Sequence, residues 1–418
     1  MPKLKDLPSF INTRKVELVI LLYILIILVV GLSMQPLNQL AYGLGRIFTS
    51  PGVLVTDYME VGGIGPALVN AALVSLIGYV ILLINKVDFT GYSIAAVFTL
   101  LGFALIGKNV FSILPLIFGV YVYSRLKKEK FSNYIYQSLF CTALSPIITQ
   151  TAFVFGWNPL IVFAFASLVG VIVAPIAKQA LTFHKGYNLY NTGFTSGLIG
   201  FVILSFFKGY GYNVESVLIW GTGYNQILIP LTITLFLSMI ILGFITGRDL
   251  KNQGGKILES SGELVTDYVI ISGFENTLIN MGFVGLIGVT YIILVNGDFN
   301  GPTLGGLFTM VGFAALGKHV VNIIPIMIGV WLAANFSVNE VNSPGPLLAA
   351  LFGTCLAPLA GKYGPLVGIL AGFVHLQLVS VTGQIHGGLN LYNNGFSAGF
   401  VAMFFVSILE DFRKHEEA

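Results

Sequence analysis

Two lysines, Lys108 and Lys318, open the chemistry of this sequence. Each follows a glycine in the middle of an apolar stretch, as Gly107-Lys108-Asn109 within 93–124 and Gly317-Lys318-His319 within 303–334. A charge so placed in a chain that crosses a bilayer costs several kcal/mol unless it is hydrated or paired, and it reads as functional. If a half-helix starts just after each lysine, its free amides and the positive end of its dipole face the same space. Lysine beside a helix N-terminus favours an anionic or carbonyl-bearing solute, with Asn109 and His319 next to it. The competing reading is a lysine that snorkels to the interface or pairs with Asp88 or Asp298.

A second set is the block His-x-Gly-x-Asn-Leu-Tyr-Asn, which occurs twice. It supplies His184, Asn188, Tyr190 and Asn191, then His386, Asn390, Tyr392 and Asn393. Amides and a phenol can replace the hydration shell of a polar solute, while the glycines let backbone come close. The same groups also suit a helix cap with interhelical hydrogen bonds. Thr99 and Thr309, in a repeated Phe-Thr pair, join the candidate site. Asp88 and Asp298 precede a glycine and read first as turn residues, and second as ion-coupling carboxylates. Asp57 and Asp267, in a repeated Val-Thr-Asp-Tyr, read as helix caps. Asn70 and Asn280 lie in apolar segments and either bridge helices or line a pore. His375 reads as a packing histidine. The histidines of the two blocks start on opposite sides of the membrane, so no metal site is expected, and Cys141 and Cys355 add none.

These residues need a frame, and the composition says which. Of 418 residues, 56% are hydrophobic and 9% charged, against about 25% charged in soluble domains. A water-soluble enzyme and a nucleic-acid-binding surface are both excluded. There is no Gly-x-Ser-x-Gly, His-Glu-x-x-His, P-loop or dinucleotide fingerprint, so no enzyme and no cofactor are expected. Apolar runs long enough to cross a bilayer fall at 16–34, 66–85, 138–155, 159–180, 189–207, 226–246, 275–295, 345–360, 365–381 and 391–409. The first is too long for a signal core and lacks a small-residue cleavage site. The two lysine-bearing stretches have flanks of about 15 residues, so each is two short spans or a re-entrant pair of half-helices. Their breaks are expected to approach each other at mid-membrane.

The halves repeat. Residues 50–120 align with 260–330 without a gap at 29 of 71 positions, and the histidine block repeats at an offset of 202. Each half holds an odd number of crossings, so the second should be upside down. Charge tests this independently. With the N-terminus inside, seventeen of the twenty-one lysines and arginines fall in inside loops and tails, only Arg46 and Lys208 fall outside, and Lys108 and Lys318 lie within. The basic loop 125–130 has an uncharged-to-acidic counterpart at 337–342. The expected organisation is a cytoplasmic N-terminus (1–15), a first membrane repeat (16–207), an external linker (208–225), a second, inverted repeat (226–410) and a cytoplasmic C-terminus (411–418).

The duplicated Gly-Phe-Ala-x-x-Gly-Lys and Asn-Leu-Tyr-Asn-x-Gly-Phe blocks resemble those of a family of multi-pass bacterial membrane proteins known as a domain of unknown function. That resemblance covers most of the chain and implies location in the bacterial cytoplasmic membrane. The architecture is also similar to that of urea transporters, with two inverted halves of five spans and a broken element in each. The runs 186–200 and 388–399 resemble their Leu-Tyr/Trp-Gly-Phe-Asn element, although membrane lysines imply a solute other than neutral urea.

The sequence thus reads as an all-α polytopic membrane protein made of two inverted-topology repeats, each with about five spanning helices plus a broken hairpin. The expected function is transport, by a channel or secondary carrier, of a small polar or anionic solute through a pseudo-symmetric midplane site. A membrane enzyme or a membrane subunit of a larger complex is the alternative. The expected partners are the lipid bilayer and the solute, not nucleic acid, and a homo-oligomer is left open.

Overall fold

A computed structural model describes residues 13–215, 217–247 and 250–416. An apolar chain must satisfy its amides internally wherever water is absent, and this one does so with helices. The first half contains α1 (Thr13–Ser33), α2 (Leu37–Thr49), α3 (Tyr58–Gly62), α4 (Ile64–Ile84), α5 (Gly91–Phe103), α6 (Val110–Leu126), α7 (Ile135–Phe140), α8 (Ser145–Thr149), α9 (Pro159–His184) and α10 (Asn191–Gly209). The second contains α11 (Asn225–Thr246), α12 (Leu250–Glu259), α13 (Tyr268–Ser272), α14 (Phe274–Leu294), α15 (Gly301–Gly312), α16 (Val320–Asn335), α17 (Pro344–Phe352), α18 (Ala357–Tyr363), α19 (Pro365–Ile385) and α20 (Asn393–Glu416). The second ten repeat the first ten in order. Among the described residues nine helical stretches are long and apolar enough to cross a membrane.

Most expected spans appear within a few residues of their sequence bounds. The stretch 138–155 differs: a 3-10 turn at Cys141–Leu144 and a π turn at Gln150–Val154 interrupt it. The short helices α2 and α12 were not expected, because their polar residues mask a single apolar stripe. Lys3, Lys5 and Arg248, the side chains of Lys251, Arg413 and Lys414, and most of the expected N-terminal tail lie outside the described residues.

Two pairs of equivalent helices, α5 with α15 and α10 with α20, lie side by side and run antiparallel. Along α5 and α15, Gly102 meets Gly305 and Thr309, Gly305 meets Ile106, and Gly312 meets Ala95 and Phe98. Thr99 and Thr309 fall midway along that contact. A Cβ on Gly102 would stand 2.5 Å from the Gly305 carbonyl oxygen, so only glycine permits this approach. The helices α10 and α20 cross in the same sense, with Gly193 against Gly395, Gly197 against Phe396 and Gly399 against Phe194, and Gly387 in the turn ahead of α20 against Leu204.

The Gly-Lys breaks are where the sequence puts them, but they do not approach each other. Gly91 at the start of α5 abuts the Ala315 carbonyl, and Gly301 at the start of α15 abuts the Leu105 carbonyl. Each break therefore sits at the far end of the antiparallel pair, about 20 Å from the other by the length of a 13-residue helix. Antiparallel packing of the equivalent helices separates what a parallel pairing would have joined. The hairpin of α5 and α6 enters and leaves by one end. Tyr123 near the end of α6 lies 5.2 Å from the Tyr134 ring, and Tyr136, two residues on, bonds Ser93 near the start of α5 at 2.9 Å and lies 5.4 Å from the Tyr92 ring.

Candidate functional site

The break in each hairpin frees several carbonyls, and side-chain donors meet three of them in each half. Gly107 adopts φ +141°, a conformation that favours glycine. The Asn70 side-chain amide donates to the carbonyls of Ala104 and Lys108, both at 2.8 Å. Asn280 does the same to Ala314 and Lys318, again at 2.8 Å. Ser145 donates to the Gly107 carbonyl, and Asn322 to that of Gly317. Of the two sequence readings for Asn70 and Asn280, bridging is the one observed. Asn109 caps α6 by accepting the amides of Phe111 and Ser112 at 3.1 and 2.9 Å. At the equivalent place the His319 amide donates to Asn322 Oδ1 and its ring bonds the Ser260 carbonyl. Both residues serve the helix start and turn away from the lysine.

The lysines are fully buried and cross between the halves. Lys108 Nζ donates to the Tyr392 hydroxyl at 2.7 Å and lies 4.6 Å from the centre of that ring. Lys318 Nζ donates to the Tyr190 hydroxyl at 2.7 Å and to Thr354 Oγ1 at 2.8 Å, 4.5 Å from the Tyr190 ring centre. Phe103 packs on Tyr392 and Phe313 on Tyr190, at 4.1 and 4.7 Å between centroids. Among the described residues no carboxylate pairs with either ammonium. The pairing with Asp88 or Asp298 is not what the fold builds. Asp298 instead accepts from the Trp220 indole at 3.1 Å. Asp88 lines a cavity mouth, where burial raises its carboxyl above the usual range.

Thr354 escaped the sequence reading. The signal was present: Leu-Phe-x-Thr-x-Leu-x-Pro occurs at 139–146 and again at 351–358. It marks the broken α7 and α17 regions, whose carbonyls also hold the histidine blocks. The Leu391 amide donates to Ala143, and the Leu189 amide to Cys355, both at 3.0 Å.

The histidine blocks form the scaffold that aims the tyrosines. Asn188 accepts the Tyr190 amide at 3.0 Å and donates to the Gly395 carbonyl at 2.9 Å. Asn390 accepts the Tyr392 amide at 3.0 Å and donates to Gly193 at 3.2 Å. The His184 and His386 Nε2 atoms bond Asn191 and Asn393 Oδ1 at 2.9 and 3.0 Å, and their Nδ1 atoms face the Asn188 and Asn390 amides. His375 bonds Asn394 within the packed interior.

A cavity of about 1110 Å³ leads to this centre. Lys86, Asp88, Lys130 and Asn133 line its mouth, and Asn191 its wall. Its inner end is built from matched pairs of both halves: Thr99 and Thr309, Phe103 and Phe313, Tyr190 and Tyr392. The lysines stand behind the tyrosines. Each tyrosine oxygen accepts from an ammonium, which leaves its own proton to donate. Thr309 donates to the Gly305 carbonyl at 2.8 Å, whereas the buried Thr99 hydroxyl has no hydrogen-bond partner among the described residues. The inner end therefore presents hydroxyl donors backed by two buried lysines, suited to an oxygen acceptor on a solute.

A sequence model of a protein family described as "Protein of unknown function (DUF1576)" matches residues 37–209 and 246–411, about four fifths of the chain. No curated protein and no solved structure matches, so the likeness to urea transporters rests on the sequence pattern alone.

Proposed function

The chain belongs to the DUF1576 family of proteins of unknown function, and on that premise we propose that it is a membrane transport protein for a small polar or anionic solute. The observation that carries this reading is the pair of crossed lysine–tyrosine bonds at the inner end of a cavity lined by matched residues of both halves. Two buried lysines without a carboxylate partner are a poor way to stabilise a fold, and a solute held by the tyrosines they back explains why each half carries one. Antiparallel equivalent helices support an inverted repeat, with its site where the halves meet. The charge count supports a cytoplasmic-membrane setting with the cavity mouth of Lys86 and Lys130 inside.

A carrier fits better than an open channel. At the opposite end the linker lies over the residues equivalent to the cavity mouth. Trp220 holds Asp298, the Gly221 carbonyl accepts from Asn300 at 2.9 Å, and Asn225 accepts the Phe299 amide at 2.8 Å. One end open and the other strapped is the expected form of alternating access. Uptake by the purified chain in proteoliposomes, screened over carboxylates, amino acids, short peptides and urea with and without ion gradients, tests the reading. Saturable uptake of at least one solute is expected, and none over protein-free vesicles overturns it.

A further inference from the structure

The linker completes a short two-stranded pairing in the first half. It runs parallel to residues 55–57. The Val55 amide donates to the Val217 carbonyl at 2.8 Å, the Ile219 amide to Val55 at 3.0 Å and the Asp57 amide to Ile219 at 3.1 Å. The Gly221 amide then donates to Asp57 Oδ2 at 3.0 Å. Asp57 Oδ1 meanwhile accepts the amides of Met59 and Gly301.

The duplication puts Val265 and Asp267 in the same places of the second half. Asp267 Oδ1 is used as in the first half, accepting the amides of Val269, Ile270 and Gly91. Among the described residues its other oxygen, Oδ2, is buried without a hydrogen-bond partner, although the residue is only 6% exposed. The Thr90 hydroxyl lies beside the carboxyl but does not bond that oxygen. Val265 is 73% exposed, and among the described residues no backbone group pairs with its amide, its carbonyl or the Asp267 amide. Both residues line the large cavity. One copy of the edge carries a strand. The other closes a turn, with the Thr266 amide on the Glu263 carbonyl at 2.9 Å, and leaves its outer groups bare toward the space where a solute would sit.

We propose that this bare edge binds a short peptide in extended form, whose backbone takes the place that 217–221 take in the first half, with a peptide amide on Asp267 Oδ2. Backbone addition to an open edge supplies affinity without demanding a particular side-chain sequence. Val265 and Asp267 are two positions apart, about 6.6 Å along a strand. A solute must therefore be about three residues long to reach both, and a single amino acid cannot. The cavity volume accommodates such a chain, and Lys86, Lys130 and Asp88 at the mouth offer partners for its charged ends. Binding at this edge stands whether or not the chain transports; that the bound peptide is carried across rests on the reading above.

The test needs no transport. Cys141 and Cys355 are buried, so Val265→Cys in the full chain, purified in detergent, presents a single accessible thiol to a maleimide. The probe is the pentapeptide Val-Leu-Ile-Trp-Gly, which copies 217–221. It is expected to slow labelling about tenfold at saturation, and its half-protection concentration should rise about tenfold in Val265→Cys/Asp267→Asn or when its glycine nitrogen is methylated. Ile271→Cys, also in the cavity wall, is a second reporter should the first variant fold poorly. Labelling at an unchanged rate, or equal protection by glycine or by the methylated peptide, overturns the proposal. Protection without uptake of any solute would overturn the transport reading and leave this one standing.

Discussion

Lys108 and Tyr392 meet at 2.7 Å although 284 residues separate them, and each belongs to a different half of the chain. The matching bond of Lys318 to Tyr190 runs the other way. The two halves thus hold each other's charge, and the central site exists only where both are present.

Lys318→Met keeps the length of the side chain and removes its charge. The ammonium has no carboxylate to abandon, so its loss leaves the fold intact, and the thermal midpoint is expected to hold or rise. Uptake should fall by at least about tenfold, because Tyr190 loses the donor behind it that strengthens its own hydrogen bond to the solute. Lys108→Met should be milder, because Lys318 engages Thr354 as well as a tyrosine. Uptake unchanged in both variants defeats the assigned role.

Asn280→Leu tests the clasp on the second break. Two carbonyls, of Ala314 and Lys318, lose their donor in a dry interior. Each orphaned group costs about 1–3 kcal/mol, so the purified variant should melt well below the parent or fail to accumulate. Asn70→Leu should do the same, and a normal melting curve for both would show that water serves these carbonyls instead.

Gly102→Ala probes the closest approach of α5 and α15. Its new methyl would stand 2.5 Å from a backbone oxygen that belongs to another helix. Overpacking of this kind costs about 1–3 kcal/mol. Gly45→Ala meets nothing within 4 Å and should leave stability within about 0.5 kcal/mol. A comparison of the two melting temperatures reads the difference.

The orientation of the halves is open to labelling from each side of sealed cells. Cysteine at Glu129 should react only from within and cysteine at Asn339 only from outside, as the charge asymmetry of their loops predicts. Reaction of both from one side would end the inverted arrangement.

Much of this was legible because a duplicated sequence states its own constraints twice. The offset of 210 gave both breaks, and the lysines stood out against apolar neighbours. The partners of those lysines did not. Tyr190 and Tyr392 appeared in the candidate set as solute ligands, and nothing in their spacing says that each serves the opposite half. The antiparallel crossing decides that, and it arises from glycine contacts between distant helices. The separation of the two breaks escaped for the same reason. His184, His386, Asn188 and Asn390 have the residue types of a polar site, yet their hydrogen bonds are spent on backbone and on the side chains of Asn191 and Asn393. Type and spacing cannot tell a ligand from a scaffold when both need amides. The linker edge was illegible, because pairing of 217–221 with 55–57 joins two segments with no shared pattern.

The crossed bonds also impose a timetable. A ribosome adds about 5–20 residues each second. When Lys318 emerges, Tyr190 has already been made. Lys108 has no such luck: with 284 residues still to come before Tyr392, it waits roughly 15 to 60 s for its partner. For that interval the first half must shelter a lysine it cannot satisfy, so the early stages of insertion belong to water, lipid headgroups or the insertion machinery, and Tyr392, just ahead of α20, closes a site that Lys108 opened in the first half.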